Sequence, residues 1–345
     1  MKARWCIAKM RVGVAIVAIL AFCFPSAQAQ DFSGIFNAIG GVFKSIGVVD
    51  LYNFAKNRDT TFYKSPPGTF DICLTMNLAG SRQSTWGSES EKNSKFRSHI
   101  SSDNMVNSTI SVGYKGIALG YTFNPFTSNK NSKDYRFTLT LHGNFLGLDL
   151  AYYKINSFSG YSKLGNEKYS IPYGDPSMKL FLLNTYMVFN HRHYSYPAGV
   201  NLSYIQTRSS GSLIAGVTFS NNRTNVTSVG FDEPSLKINS KMVSIGAGYG
   251  YNYVPCRNML FAFMLMPKFV VYDSSYIDVD TYDIKQTFKR PELTYSASVG
   301  IVKWMGNVYA GITALADGYE SHHTSTGFRL LQVQWHVHAH LGVNF

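Results

Sequence analysis

The last fifteen residues alternate without a break. Leu331, Val333, Trp335, Val337, Ala339, Leu341, Val343 and Phe345 fall on one face, and Gln332, Gln334, His336, His338, His340, Gly342 and Asn344 on the other. A helix repeats its apolar residues every three or four positions, so a period of two held this long predicts a strand. Globular strands run to about five or six residues. One that crosses a bilayer at a tilt needs about 9 to 11, and turns an apolar face to lipid and a polar one inward. The same period recurs upstream. Phe70, Ile72, Leu74, Met76 and Leu78 form one face of a first strand, which a polar loop from Gly80 to about Asn104 follows. Ile110, Val112 and Tyr114 hold even positions and Ile117, Leu119, Tyr121 and Phe123 odd ones. That switch at Lys115-Gly116 predicts a tight hairpin, because a straight strand keeps its parity. Tyr135 to Leu141 and Leu146 to Tyr152 repeat the device about Gly143-Asn144.

Further strands are expected over Val243 to Tyr251, Met259 to Tyr272, Leu293 to Ile301 and, after a turn at Met305-Gly306-Asn307, Val308 to Ala316. A polar loop from Asp317 to Ser325 precedes the last strand. Tight turns thus alternate with longer polar loops, the signature of a transmembrane antiparallel up-and-down β-barrel. Counting crossings from both ends produces a conflict. With both barrel ends on one side, the strand from Leu146 to Ser157 and the strand from Leu213 to Ser220 both end on the far side, the second before a loop from Asn221 to Ser240. Two candidates lie between them, Met178 to Asn190 and Ala198 to Thr207, and only one can cross. The more apolar, Met178 to Asn190, is taken as the crossing. His191 to Ser212 is then expected to be a periplasmic or inward-folded excursion, and the barrel to have twelve strands, an even number as in bacterial single-chain barrels.

The N-terminus bears on location. Lys2, Arg4, Lys9 and Arg11 precede thirteen apolar residues, Val12 to Phe24, and Ala27-Gln28-Ala29 is an A-x-A cleavage site. Residues 1–29 are therefore expected to be a signal peptide. Lipidation at Cys23 is the competing reading, but Phe22 stands where such signals need a small residue. Residues 30–68 are expected to be a periplasmic lead-in with weak helical spacing, and residues 69–345 the barrel. No apolar run after the signal reaches the eighteen residues of a spanning helix, which leaves a barrel as the means of crossing. The chain carries 23 Tyr and 24 Phe, enough for the aromatic girdles of a barrel. Its net charge of +12 falls to +8 without the signal. The basic residues are scattered through strands and loops without a stripe, so the expected partners are outer-membrane lipids and the barrel insertion machinery, and nucleic acid is not one. Cys73 and Cys256 remain, and are expected to be unpaired.

Several stretches resemble a known family. Asn190-His191-Arg192, Ser195-Tyr196-Pro197-Ala198 and Ile205-Gln206-Thr207-Arg208-Ser209-Ser210-Gly211-Ser212 are similar to the central signature of the family catalogued as domain of unknown function 4421. So is the hairpin Ser111 to Tyr121. The resemblance runs from roughly Asp59 to Phe345. It implies an outer-membrane barrel of a Gram-negative bacterium and assigns no activity.

Candidate chemistry is sparse. His336, His338 and His340 share the lumenal face of the last strand, where a row of imidazoles could take a metal but more simply lines a wet interior. Arg136 must face inward, since towards lipid it would cost about 2 to 4 kcal/mol at the midplane. Registering its hairpin on Gly143-Asn144 sets Asp149 opposite Thr138 and diagonal to Arg136, an expected lumenal ion pair. His191, Arg192, His193, Gln206 and Arg208 lie in the segment that breaks the topology, and are expected either to plug the lumen or to bind a ligand there. No G-x-S-x-G, H-E-x-x-H, phosphate loop or Cys-x-x-Cys is present. The leading expectation is a pore, transport component or structural membrane protein without cofactor or catalysis. The alternative is a lipid or lipopolysaccharide hydrolase with a Ser and a His at the barrel rim.

Overall fold

The computed structural model describes residues 58–345 except 69, 90–93, 103–104, 115–116, 126–133, 157, 165–166, 172–176, 227–235, 280–283, 288–292 and 323–328. The expected signal peptide and residues 30–57 of the expected lead-in lie outside the described residues. In chain order the strands are β1 (Tyr63–Lys64), β2 (Phe70–Glu89), β3 (Ser94–Ser102), β4 (Met105–Tyr114), β5 (Ile117–Phe123) and β6 (Tyr135–His142). Next come β7 (Leu146–Ile155), β8 (Phe158–Leu164), β9 (Glu167–Ile171), β10 (Ser177–Val188), the helix α1 (Tyr196–Val200), β11 (Ile205–Gln206) and β12 (Ser210–Val226). The chain finishes with β13 (Leu236–Tyr253), β14 (Met259–Val279), β15 (Ile284–Thr287), β16 (Leu293–Met305), β17 (Val308–His322) and β18 (Arg329–Asn344).

Twelve strands close a ring in the order β2, β4, β5, β6, β7, β10, β12, β13, β14, β16, β17, β18, and β18 pairs back onto β2 over Arg329 to Asn344. Every neighbour in the ring is antiparallel. Closure leaves no sheet edge to be satisfied in lipid, and the parity of each strand decides which side chains lipid sees. Phe70, Ile72, Leu74, Met76 and Leu78 on β2 are exposed, while Thr75 and Asn77 between them are buried inside. Leu341 on β18 is exposed on the same outer surface. Aromatic residues mark both margins: Tyr114 and Tyr253 stand at the end of the short turns, and Tyr295, with Trp335 laid over Gly80, at the other. A Cβ on Gly80 would fall 2.5 Å from the indole, so the missing side chain makes room for the ring.

β10 is the crossing and Ala198 to Thr207 is not, so the expected count of twelve holds. The long-hairpin end differs from expectation. Gly80 to Asn104 is mostly strand: β2 runs on to Glu89 and pairs with β3, which pairs with β8, which pairs with β9. Likewise β12, β13 and β17 extend well into stretches expected to be polar loop. These extensions stand beyond the apolar band, so their Ser, Thr and charged residues carry no period of two for a sequence to reveal. Inside them Ile100, Phe158, Ile171, Met178 and Val226 pack into a small apolar cluster.

Candidate functional site

The excursion folds inward. Pro197 stands in the first turn of α1, where its missing N–H costs nothing, and Leu202 at φ +64° turns the chain out of the helix. Leu202 then drops, with Ala198 and Ile205, into a buried cluster containing Cys73 of β2, Leu260 of β14, Val302 of β16 and Tyr309 of β17. Tyr194 joins Tyr186, Val188, Ile214, Met264 and Met266 on the adjoining wall, and Tyr196 packs against them. The close approach needs glycine: a Cβ on Gly300 would lie 2.6 Å from the Gly199 carbonyl oxygen. On the far side Asn201 Nδ2 and His142 Nδ1 of β6 are hydrogen-bonded at 2.8 Å. Since four ring strands on one side and six on the other separate β6 from β14, the segment spans the lumen and forms a plug.

Gln206 holds this plug in place. Its side-chain amide donates to the carbonyls of His193 at 2.7 Å and Arg208 at 3.0 Å. Its carbonyl accepts from the Ser195 N–H and from Asn252 Nδ2, each at 3.1 Å. Asn252, on β13, also donates to the Ser195 carbonyl at 2.8 Å. Both side chains are almost wholly buried, at 2% and 0% exposure. From outside, β1 pairs with β11, Tyr63 donates to the His191 carbonyl, and the Asp59 N–H donates to the Arg192 carbonyl at 3.0 Å.

Of the residues singled out in this segment, Gln206 and His191 are buried in the plug, and the His191 ring packs edge-on against Phe145 at 5.2 Å. Arg192, His193 and Arg208 are not lumenal. They lie on the outer side of the plug beside the lead-in, where His193 Nε2 is 3.8 Å from Asp59 Oδ2 and its ring 4.4 Å from Phe62. The Arg208 guanidinium stands 5.7 Å from the same Phe62 ring. Hydrogen bonds from Thr61 hold the Asp59 carboxylate below its ordinary pKa.

Beyond the plug a cavity of about 630 Å³ occupies the lumen, within the range of small-molecule sites. Arg136, Asp149, His336, His338 and His340 all line it. The expected Arg136–Asp149 pair does not form. Arg136 pairs with Tyr153 and Asp149 with Thr140, because the turn after His142 is two residues longer than the tightest hairpin and shifts the register. The guanidinium instead stacks 4.5 Å from the Tyr153 ring. Tyr153 in turn approaches His336 across the lumen, with 6.4 Å between centroids. The three histidines do form a row, with rings 5.8 and 5.6 Å apart, and His340 is hydrogen-bonded to Thr75 at 3.0 Å and Thr313 at 2.9 Å. Among the described residues no group of three His, Cys, Asp or Glu side chains has the geometry to hold a metal ion. Arg136 Nε, Asp149 Oδ1 and His338 Nε2 are buried without a protein partner, so polar groups are left over for water or solute.

Two features were missed. Lys268, deep in β14, donates to Thr218 at 2.8 Å and Ser296 at 2.9 Å, and Ser296 donates to Asp317. The argument that turned Arg136 inward would have found it. Higher up, Asn222 of β12 donates to Gln332 of β18 at 3.5 Å, although four ring strands on one side and six on the other separate them. The walls therefore meet across the lumen. Outside, Ser84 Oγ and His99 Nδ1 lie 3.0 Å apart on the β2–β3 extension, and burial followed by the nearby Arg82 charge lowers the His99 pKa.

A closed barrel with a lipid-facing exterior and a lumen filled by its own chain is a plugged transmembrane β-barrel. The chain belongs to the family described as Domain of unknown function (DUF4421), which matches residues 57–345. No curated protein matches it significantly. Among solved structures it is similar to the outer membrane protease OmpT of Escherichia coli, at 10% identity over 82% of this chain and 98% of that one, with a TM-score of 0.44. It is also similar to the translocator domain of the autotransporter NalP of Neisseria meningitidis, at 10% identity over 90% and 99% of the two chains, TM-score 0.30. A third similar structure is the outer membrane protein OprG of Pseudomonas aeruginosa, at 12% identity over 81% and 98%, TM-score 0.25.

Proposed function

We propose that the protein is an outer-membrane transport component that handles a small polar solute in an occluded lumen, and is not an open pore. Residues 1–29 act as its signal peptide and 30–68 as a periplasmic lead-in, with the short turns and the C-terminus on the periplasmic side. The observation that carries this reading is the plug, latched by Gln206 and Asn252 beneath a cavity with unsatisfied polar groups. An open pore would not bury these groups across its own mouth. Planar bilayers test it: the purified protein should show no steady ohmic conductance, and a Gln206→Ala/Asn252→Ala variant should conduct in steps. Steady conductance of equal size in both would refute it.

The Ser84–His99 contact supports a second reading, a lipid hydrolase. A neutral imidazole within hydrogen-bond reach of a hydroxyl is the minimum arrangement for a nucleophile and its base. Acyl release from labelled lipid that disappears in Ser84→Ala would establish this reading, and release that persists in that variant would remove it.

A further inference from the structure

The basic residues look scattered in sequence, yet strand pairing gathers several into one row. The register matches Arg329 of β18 to Trp86 of β2, Trp86 to Arg97 of β3, Arg97 to Lys163 of β8 and Lys163 to Lys168 of β9. These five residues therefore lie side by side on one face across five strands. That face is the outer one: Trp86 shares its parity with the exposed Leu74, Met76 and Leu78, and Arg329 its parity with the exposed Leu341. Arg97, Lys163, Lys168 and Arg329 are all exposed. Two residues before the row on β2 are Ser84 and, beyond it, Arg82, also exposed and close enough to act on His99.

The row stands at a defined height. On β18 the residue next to Arg329 on the same face is Leu331, the last of the apolar outer residues, and Trp335 lies two steps further in. On β18 the cations thus begin one rung beyond the last apolar outer residue, on the solvent side of the aromatic margin that Trp335 sets, where the polar and phosphorylated parts of lipids lie. Arg97, Lys163 and Lys168 occupy directly opposed positions, where like charges repel. Lys168 leans over the Tyr161 ring at 4.7 Å, which orients its stem and supplies no counter-charge. Among the described residues on this face, the nearby carboxylate is Glu320, in the rung below and on β17 at its far side.

We propose that this row is a docking site for the phosphate groups of lipids in the leaflet at the long-hairpin end. Several cations aligned just beyond the apolar band, with Glu320 the nearby carboxylate among the described residues on this face, fit a multiply phosphorylated head group. Naming that leaflet the outer one rests on the orientation proposed above; the binding does not.

The full-length protein, purified in a neutral detergent, would be titrated with diphosphoryl lipid A, its monophosphoryl form and phosphatidylcholine, with bound lipid read by native mass spectrometry. Wild type should favour the diphosphoryl form over the monophosphoryl form and bind phosphatidylcholine least. The triple variant Arg97→Gln/Lys163→Gln/Lys168→Gln should lose about fivefold per cation, so about a hundredfold in all. Arg257→Gln/Lys303→Gln, at the short-turn end, should bind like wild type. Heat-modifiable gel migration checks that each variant is folded. Should the triple variant fail to fold, the wild-type affinity still decides, since it must fall steeply with added salt. A folded triple variant that binds as tightly as wild type would overturn the proposal. So would salt-insensitive binding, or displacement of the lipid by inorganic phosphate, which would mark a free-anion site. Fractionation away from the outer membrane would remove the orientation reading and leave the binding result standing.

Discussion

The two free cysteines make the plug directly testable. Cys256 is exposed in the turn between β13 and β14, whereas Cys73 is buried at 5% exposure in the cluster that Ala198, Leu202 and Ile205 of the plug complete. A water-soluble thiol reagent should modify Cys256 at once and Cys73 slowly, at a rate that rises as the plug opens. Asn252→Ala perturbs the latch without touching either thiol. It removes two hydrogen bonds, to the Ser195 carbonyl at 2.8 Å and the Gln206 carbonyl oxygen at 3.1 Å. Each bond contributes about 1 kcal/mol net, and the Ser195 carbonyl keeps a donor in the Ala198 N–H at 3.3 Å, so no orphaned acceptor adds to the cost. A loss of about 2 kcal/mol raises the open population about 30-fold. When reclosing outpaces modification, the Cys73 rate follows that population. Mass spectrometry of peptides after timed labelling would give the Cys73 rate, with Cys256 as the internal reference. An unchanged ratio in Asn252→Ala, with the barrel still folded by gel migration, would show that Gln206 and Asn252 do not latch the plug.

Three further outcomes are expected. Gly300→Val should also speed Cys73 labelling, because overpacking against the Gly199 carbonyl costs about 1 to 3 kcal/mol, whereas Gly306→Ala, at φ +68° with open space around it, should lower stability by about 1 kcal/mol and leave Cys73 protected. Lys268→Met should lower the unfolding free energy by about 2 kcal/mol in urea titrations in micelles, through loss of the bonds to Thr218 and Ser296; a gain would mean that desolvating the ammonium outweighs them. The Asp59 pKa is depressed in the folded chain, chiefly by the hydrogen bonds from Thr61, so its contribution to the folded turn of the lead-in is present above the ordinary carboxylate value of 3.8 and is lost as the pH falls through the depressed one. Protease cleavage of the lead-in should therefore rise at low pH in wild type and be raised at neutral pH in Asp59→Asn.

What could be read from the sequence followed from constraints that a small error does not disturb. Parity placed Arg136, Asp149, His336, His338 and His340 inside, and all five line the cavity. The crossing count isolated His191 to Ser212, since an odd surplus strand cannot be absorbed by an antiparallel ring. The content of that segment was not readable: α1 is five residues long, too short to show a helical period, and its anchors are hydrogen bonds to distant strands. The long-hairpin extensions were missed for a related reason, as strands beyond the apolar band, with only a small apolar cluster inside them, have little alternation to display.

Face and partner are separate kinds of information, and the lumen shows why. The turn after His142 has four residues where two were expected, so every pair in the hairpin moves by two. A shift of two preserves the face of each side chain and changes its neighbour, which is how Arg136 stayed inside yet met Tyr153 in place of Asp149. The outer row of cations is the same effect on a larger scale. Arg97, Lys163, Lys168 and Arg329 carry no common spacing, and only the pairings β18–β2, β2–β3, β3–β8 and β8–β9 make them neighbours. Three of those four pairings involve extensions with no periodic signature. A charge pattern built that way belongs to the register, so a two-residue insertion in the β2–β3 hairpin should break the row without exposing an apolar residue, and should weaken phosphorylated-lipid binding with heat-modifiable migration unchanged.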